Sequence, residues 1–213
     1  METVYKYKPV LKNEVPVFLE PMQKLFEEKT VFVLGYGSLA HSNGWLGRGL
    51  LQPPKRDELI ECKARGFERG PYGLFGLTHF YGVIRHSEKK MNGALGRIKS
   101  LDDWVYLMRT ECIAGLTSAV NYRVVDITEN IYDDKGELPS NAVVHMVVNR
   151  PSNRQDIQHA WPSHEYYSYC WNGIKLERTP EFASVFLQTG GFRNDRWAQK
   201  FIDALIKKAG RAR

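Results

Sequence analysis

The stretch Thr30 to Trp45, TVFVLGYGSLAHSNGW, constrains this chain more than any other. Val31-Phe32-Val33-Leu34 is a short, unbroken apolar run, the pattern of a strand buried on both faces. It drops directly into Gly35-Tyr36-Gly37-Ser38-Leu39. Glycines so placed permit a tight turn or a close approach of the backbone to another group. A loop that leaves a buried strand is also where backbone N–H groups converge on an anion. A ligand-free turn and an anion cradle are both open. The loop is not a dinucleotide fingerprint, because no third glycine arrives at the required spacing. It is not a phosphate-binding P-loop either, because the chain contains no Gly-Lys-Ser/Thr.

The 213 residues suffice for one well-buried core. An apolar fraction of 43% and a charged fraction of 25% are those of an ordinary globular domain, and no run is long enough to span a membrane. The opening METVYKYKPV lacks the apolar segment of a signal peptide. Three cysteines, Cys62, Cys112 and Cys170, with no C-x-x-C argue against a disulfide scaffold or a zinc ribbon. A reducing, cytoplasmic setting is expected. The net charge of +6 is concentrated at the end of the chain: residues 193–213 carry seven Lys/Arg against two Asp, and the body is nearly neutral. A basic terminal helix is most simply a solvated face, so nucleic-acid binding through it is possible but not favoured.

No repeat or linker divides the chain. The pattern predicts a helix over 21–28, the strand at 31–34, and irregular structure over 43–58, where glycines and Pro53-Pro54 interrupt. Strands are expected near 59–63, 78–84 and 93–98. A helix should start after Ser100, with Ser100 as cap and Asp103 in capping-box position. NYRVVDIT and NAVVHMVV read as strands joined by DDKGELPS. Ser163 should cap a helix closed by Gly173. Thr179-Pro180 should open another that ends at Gly190-Gly191, and Asp195 should cap a basic helix over 196–208. The sum is a mixed α/β domain over 1–192, with the helix in 193–213 packed on it.

Glu111 is the second feature with chemical content. At helical spacing from Leu101 it falls in the apolar sector between Trp104 and Leu107. Burying an unpaired carboxylate is costly and favours its neutral form, the setting a general acid or base needs. Alternatively Glu111 lies past the helix end and pairs with Arg109 or Arg123. His159, His164 and Glu165 have metal-ligating elements, but an i, i+5 histidine pair does not share a helix face. Cys112 has no local partner base and reads as a buried thiol. The cluster Tyr166-Tyr167-Tyr169-Trp171 reads as core and groove lining, since an RNA-binding sheet would carry aromatics on strands with interleaved basic residues.

Several stretches together resemble the γ-glutamylcyclotransferase-like family, which includes the ChaC-type enzymes. They are Tyr36-Gly37-Ser38-Leu39 after a strand, ARGFERG at 64–70, GALGRIKSLDDWVYLMRTE ending at Glu111, YRVVDIT from Tyr122, and PSHEYYSYCWNG around Tyr166. The resemblance spans roughly residues 31–190 in the family's order. It departs in the long connection from Glu111 to Tyr122 and in Cys112, where the family often has glycine.

The resemblance implies an α+β fold, a small mixed-sheet β-barrel flanked by helices. It implies an intramolecular cyclotransferase that acts on a small-molecule γ-glutamyl compound and releases 5-oxoproline. Glu111 would be the catalytic acid/base, and Tyr36, Gly37, Ser38, Leu39 and Tyr166 would bind substrate. No cofactor, metal or membrane partner is implied. The alternative is a non-catalytic protein on the same fold that holds an anionic, phosphorylated or nucleotide-like ligand.

Overall fold

The structure, a computed structural model, describes residues 4–5, 19–75, 78–111, 122–134, 136–149 and 164–190. The apolar run forms strand β2 (Thr30–Gly35), and Val31 to Leu34 are each no more than 4% exposed. Side chains alternate across a strand. Phe32 and Leu34 therefore enter one core, with Tyr167, Cys170, Trp171, Phe182 and Phe186. Val31 and Val33 enter the other, with Met22, Trp45, Trp104, Leu107 and Met108. Burial on both faces is why this strand shows no polar alternation.

In chain order the remaining elements are β1 (Val4–Tyr5), α1 (Leu19–Glu28), α2 (Ser42–Leu46), β3 (Ile60–Phe75), β4 (Thr78–Arg97), α3 (Leu101–Thr110), β5 (Tyr122–Asp126), β6 (Ile131–Tyr132), β7 (Ala142–Asn149), α4 (His164–Glu177) and α5 (Pro180–Thr189). Seven strands form one sheet in the order β1-β5-β7-β2-β4-β3-β6, which curls into a half-barrel. β2 pairs parallel with β7 and antiparallel with β4. The expected α+β architecture with a small mixed-sheet barrel is the one observed.

Local expectations fared unevenly. Ser100 caps α3 as expected, its hydroxyl accepting from the Asp103 N–H at 3.1 Å. Asp103 does not complete a capping box; its carboxylate accepts from Leu51 N at 2.6 Å and ties down the chain after α2. Residues 43–58 are not wholly irregular, since they contribute most of α2 and a 3-10 turn over Arg56–Glu58. The separate strands expected near 59–63, 78–84 and 93–98 belong to two long strands, β3 and β4, whose pairing shifts register between Arg65 and Phe67 and between Gly70 and Gly73. Thr179 caps α5 at Phe182 N, as anticipated. Gly173 does not close α4, which continues to Glu177. A Cβ at Gly173 would lie 2.3 Å from His41 Cγ, so the missing side chain lets the helix pass over a buried histidine. Ser163, Cys112, His159, and the boundary at 192/193 with the basic segment beyond it lie outside the described residues.

One irregularity repositions a charge. Cys62 and Ala64 of β3 point into the core beneath α4 and α5. At Gly66, with φ +84, the register slips, and the inward set becomes Phe67 and Arg69. Only glycine takes that backbone conformation without cost. Arg69 is thereby carried to the underside of the loop that follows β2.

His145 on β7 is fully buried against Trp104, ring centroids 5.0 Å apart, and opposite Asp126 in the sheet. Burial pulls its pKa down to about 4, with Asp126 opposing. The folded imidazole is neutral, whereas the unfolded chain takes up a proton below about 6.5. Stability should therefore fall as pH drops from 6.5 towards 4, by on the order of 3 kcal/mol from this group. Urea unfolding at pH 7 and pH 4.5 should show a smaller acid loss for His145→Gln than for the unsubstituted protein. Parallel losses in the two proteins would contradict this assignment.

Candidate functional site

The loop is built by close packing of backbone. After Gly35 the chain turns so tightly that a Cβ there would sit 2.2 Å from the Leu39 carbonyl oxygen. Ser38–Ala40 forms a 3-10 turn, and Trp45 Nε1 donates to Leu39 O at 2.8 Å. Leu39 itself is core, and the Tyr36 ring is packed beneath the turn.

Gly37 differs from expectation. Its φ is −126, so no left-handed conformation is involved. What it requires is space: a Cβ would lie 2.7 Å from the Tyr166 hydroxyl and 3.3 Å from Tyr81 Cβ. Tyr166 leans over the loop from α4, and its hydroxyl accepts from Ser38 N at 3.4 Å. Burial pushes the Tyr166 phenol well above its ordinary range, so it stays protonated. The Ser38 N–H, expected to be available to an anion, is thus engaged by Tyr166. The Gly37 N–H makes no hydrogen bond among the described residues.

Glu111 lies one residue beyond α3, with its N–H donating to Leu107 O at 2.9 Å. The buried face expected for it is taken by Trp104, Leu107 and Met108, while its side chain remains 20% exposed. Nor is it unpaired. Arg48 approaches Glu111 Oε1 through Nη2 at 2.7 Å and Nε at 2.9 Å. The same Nη2 donates to Ser38 Oγ at 2.8 Å, and Nη1 donates to Gly44 O at 2.8 Å. Burial works against the Arg48 charge, but Glu111 outweighs it and holds the guanidinium pKa above its usual value. Oε2 of Glu111 has no partner among the described residues.

Gly37, Ser38 and Tyr166 are therefore in direct contact, and Arg48 links Glu111 to them. Sequence reasoning missed Arg48, which sits in the glycine-broken stretch Gly47-Arg48-Gly49 that reads as featureless. The partner of Glu111, sought in the sequence at Arg109 or Arg123, is instead Arg48, just past α2 and 63 residues upstream. His41 closes the group from below, buried at 1% exposure and edge-on to Tyr169 at 5.0 Å. Burial lowers its pKa, with Glu177 opposing, and among the described residues neither ring nitrogen has a partner.

Cys62 and Cys170 are buried free thiols with pKa pushed up by desolvation, Cys170 to about 12, which suits neither nucleophile nor metal ligand. Among the described residues no group of three His, Cys, Asp or Glu side chains could hold a metal. A separate cleft of about 390 Å³ lies between β3 and α5, lined by Glu61, Lys63, Asp133 and Phe182 among others. It includes none of Gly37, Ser38, Glu111 or Tyr166. Glu61 is committed to Thr179, and Lys63 to Asp133.

No protein-family model matches the sequence, and no curated protein matches it. Solved structures do. The chain is similar to YkqA from Bacillus subtilis, with TM-score 0.50 and 15% identity, over 90% of this chain and 62% of YkqA. It is similar to a gamma-glutamyl cyclotransferase, with TM-score 0.51 and 10% identity, over 83% of this chain and 99% of that one. The uncharacterized protein loc79017 from Homo sapiens matches with TM-score 0.51 and 13% identity, over the same shares. The chain thus spans less than two thirds of YkqA. At these identities the likeness establishes architecture: the chain has the γ-glutamylcyclotransferase-like fold. Among the described residues no helix is long and apolar enough to cross a membrane.

The contact of Gly37 with Tyr166 generates a test by double mutation. Gly37→Ala should cost about 1–3 kcal/mol of stability by forcing the phenol away. Adding Tyr166→Phe removes the clashing oxygen and should recover at least half of that loss. Additive losses in denaturant unfolding would show that the two residues do not press on one another.

Proposed function

We propose that the protein is an intramolecular cyclotransferase that converts a small γ-glutamyl compound to 5-oxoproline and the amine or peptide it carried. In this reaction the α-amine of the substrate attacks its own γ-carbonyl. The nucleophile is tethered for closure of a five-membered ring, which removes most of the entropic demand. The protein must fold the substrate, take a proton from its ammonium group and return one to the departing nitrogen. Glu111 does both, through Oε2, while Arg48 fixes Oε1. The Gly37 N–H and the Ser38 hydroxyl orient the polar end of the substrate, and Tyr166 and Tyr36 frame the loop. No cofactor or metal takes part.

The observation that carries this reading is the chain of contacts from Glu111 through Arg48 to Ser38. It joins the acid expected from the resemblance to the loop expected to bind substrate, although 73 positions separate Glu111 from Ser38 in sequence. The fold, shared with a gamma-glutamyl cyclotransferase, supports it at the level of architecture. The ChaC-type subset, glutathione as the γ-glutamyl donor, and a cytoplasmic setting are the finer parts of the same proposal.

The ion pair also favours a second reading. A carboxylate bound to arginine can serve only to hold Arg48 at Ser38, leaving a binder of anionic, phosphorylated or nucleotide-like ligands. Incubation with a panel of γ-glutamyl peptides and γ-glutamylamines, with 5-oxoproline read by mass spectrometry, separates the two. The proposal expects product from at least one compound and a loss of roughly 10²–10⁴ in turnover for Glu111→Gln with the fold intact. Salt-dependent nucleotide binding, abolished by Glu substitutions at Lys207, Lys208, Arg211 and Arg213, with no product from any compound, would replace it by the second reading.

A further inference from the structure

Arg69 is the most unusual charge in the molecule. It is 1% exposed, and no carboxylate contacts it among the described residues. Buried charges are ordinarily paired, because removing an ion from water costs several kcal/mol. Among the described residues the guanidinium is met only by neutral acceptors. Nη1 donates to Tyr36 O at 3.2 Å and to Asn92 O at 3.1 Å. Nη2 donates to Asn92 Oδ1 at 3.1 Å, Phe186 O at 3.0 Å and Thr189 Oγ1 at 2.5 Å. Cζ lies 3.9 Å from the Phe186 ring centroid, and among the described residues Nε has no partner. Burial pulls the pKa down to about 10, so the group remains a cation at neutral pH.

The bond to Tyr36 O has a directional consequence. The chain contains no cis peptide among the described residues, so the Tyr36–Gly37 unit is trans and planar. Its carbonyl points inward to Arg69; its N–H, on Gly37, points the opposite way. That N–H makes no hydrogen bond among the described residues. Standard peptide dimensions place it within about 6 Å of the Arg69 nitrogen. A cation on the carbonyl polarises the peptide and strengthens the N–H as a donor. Through low-dielectric protein, the uncompensated charge itself acts over that distance.

We infer that Arg69 is a positioning residue that makes the Gly37 N–H a receptor for a carboxylate, offering from beneath the loop a positive charge that no carboxylate among the described residues meets. The inference rests on the cyclotransferase reading, in which the loop holds the α-carboxylate of the substrate; Arg69 is what makes that contact selective for charge. Substrates whose α-carboxyl is amidated or esterified are then excluded by charge. Arg48 does not serve this purpose, since its charge is already matched by Glu111. The slip at Gly66 that turns Arg69 inward is part of the same device.

Titration calorimetry with 5-oxoproline and 5-oxoprolinamide, an anion and a neutral compound of the same shape, tests it on the full chain. The unsubstituted protein should bind the acid about tenfold or more tightly than the amide, as a charge-assisted contact requires. Arg69→Gln keeps a planar donor for Tyr36 O but loses the charge. It should bring the two affinities within about twofold while leaving the amide affinity within about threefold of its starting value. Arg69→Lys should retain a preference for the acid even if its Tm falls. A merely structural arginine would lower both affinities together, or lower Tm alone, and either result overturns the inference. So does equal binding of acid and amide by the unsubstituted protein, or binding of neither. Should Arg69→Gln fail to fold, loss of the preference in folded Arg69→Lys overturns it and retention upholds it. Turnover is a separate readout. Product formation without a preference for the acid sinks this inference alone, and an Arg69-dependent preference without turnover sinks the cyclotransferase reading alone.

Discussion

A guanidinium that no carboxylate meets among the described residues ties this fold together. Arg69 reaches the loop after β2, the backbone and side chain of Asn92 on β4, and two residues of α5. A buried acceptor such as Asn92 Oδ1 would cost roughly 1–3 kcal/mol if left unsatisfied. The arrangement therefore converts one costly burial into alignment of four segments. Asn92 extends it by donating to Phe182 O at 2.7 Å, so the strand, the helix and the loop are fastened at one point.

The rest of the site is arranged above this anchor. β2 runs through the centre of the sheet, buried on both faces, and delivers the loop to a fixed position. α4 lays Tyr166 on the loop at Ser38, and Gly173 lets the same helix settle on His41. Ser42 donates to Glu177 from both its N–H and its hydroxyl at 2.7 Å, which holds the start of α2 against the end of α4. Arg48, just past α2, is then carried to Glu111. Two short elements that look incidental in the sequence fix the distance between the loop and the acid.

Much of this was legible in the sequence, for identifiable reasons. The apolar run of β2, the Ser100 and Thr179 caps and the buried face of α3 each rest on local chemistry that tertiary structure did not override. The resemblance pointed to the fold and to the residues worth watching. What was not legible depended on long-range geometry. Arg69 looks like any surface arginine until the slip at Gly66 reverses its face, because charged residues are rarely buried. The polar run His86 to Lys90 hides the continuity of β4. Arg48 gains its meaning only from Glu111, whose own reading as a buried, unpaired carboxylate failed because the helix ends one residue too soon. Of the two needs the sequence allows for a glycine at position 37, a tight turn or a close approach, the structure shows the close approach, to a tyrosine.

The central claim is that the loop and Glu111 form one substrate site. It is tested most directly by a crystal structure of the protein with 5-oxoproline bound. The account predicts the product carboxylate within hydrogen-bond distance of Gly37 N and its lactam group beside Glu111 Oε2, with the Tyr36 carbonyl still on Arg69. Product bound in the cleft between β3 and α5, or against the loop with Glu111 out of reach, would contradict it.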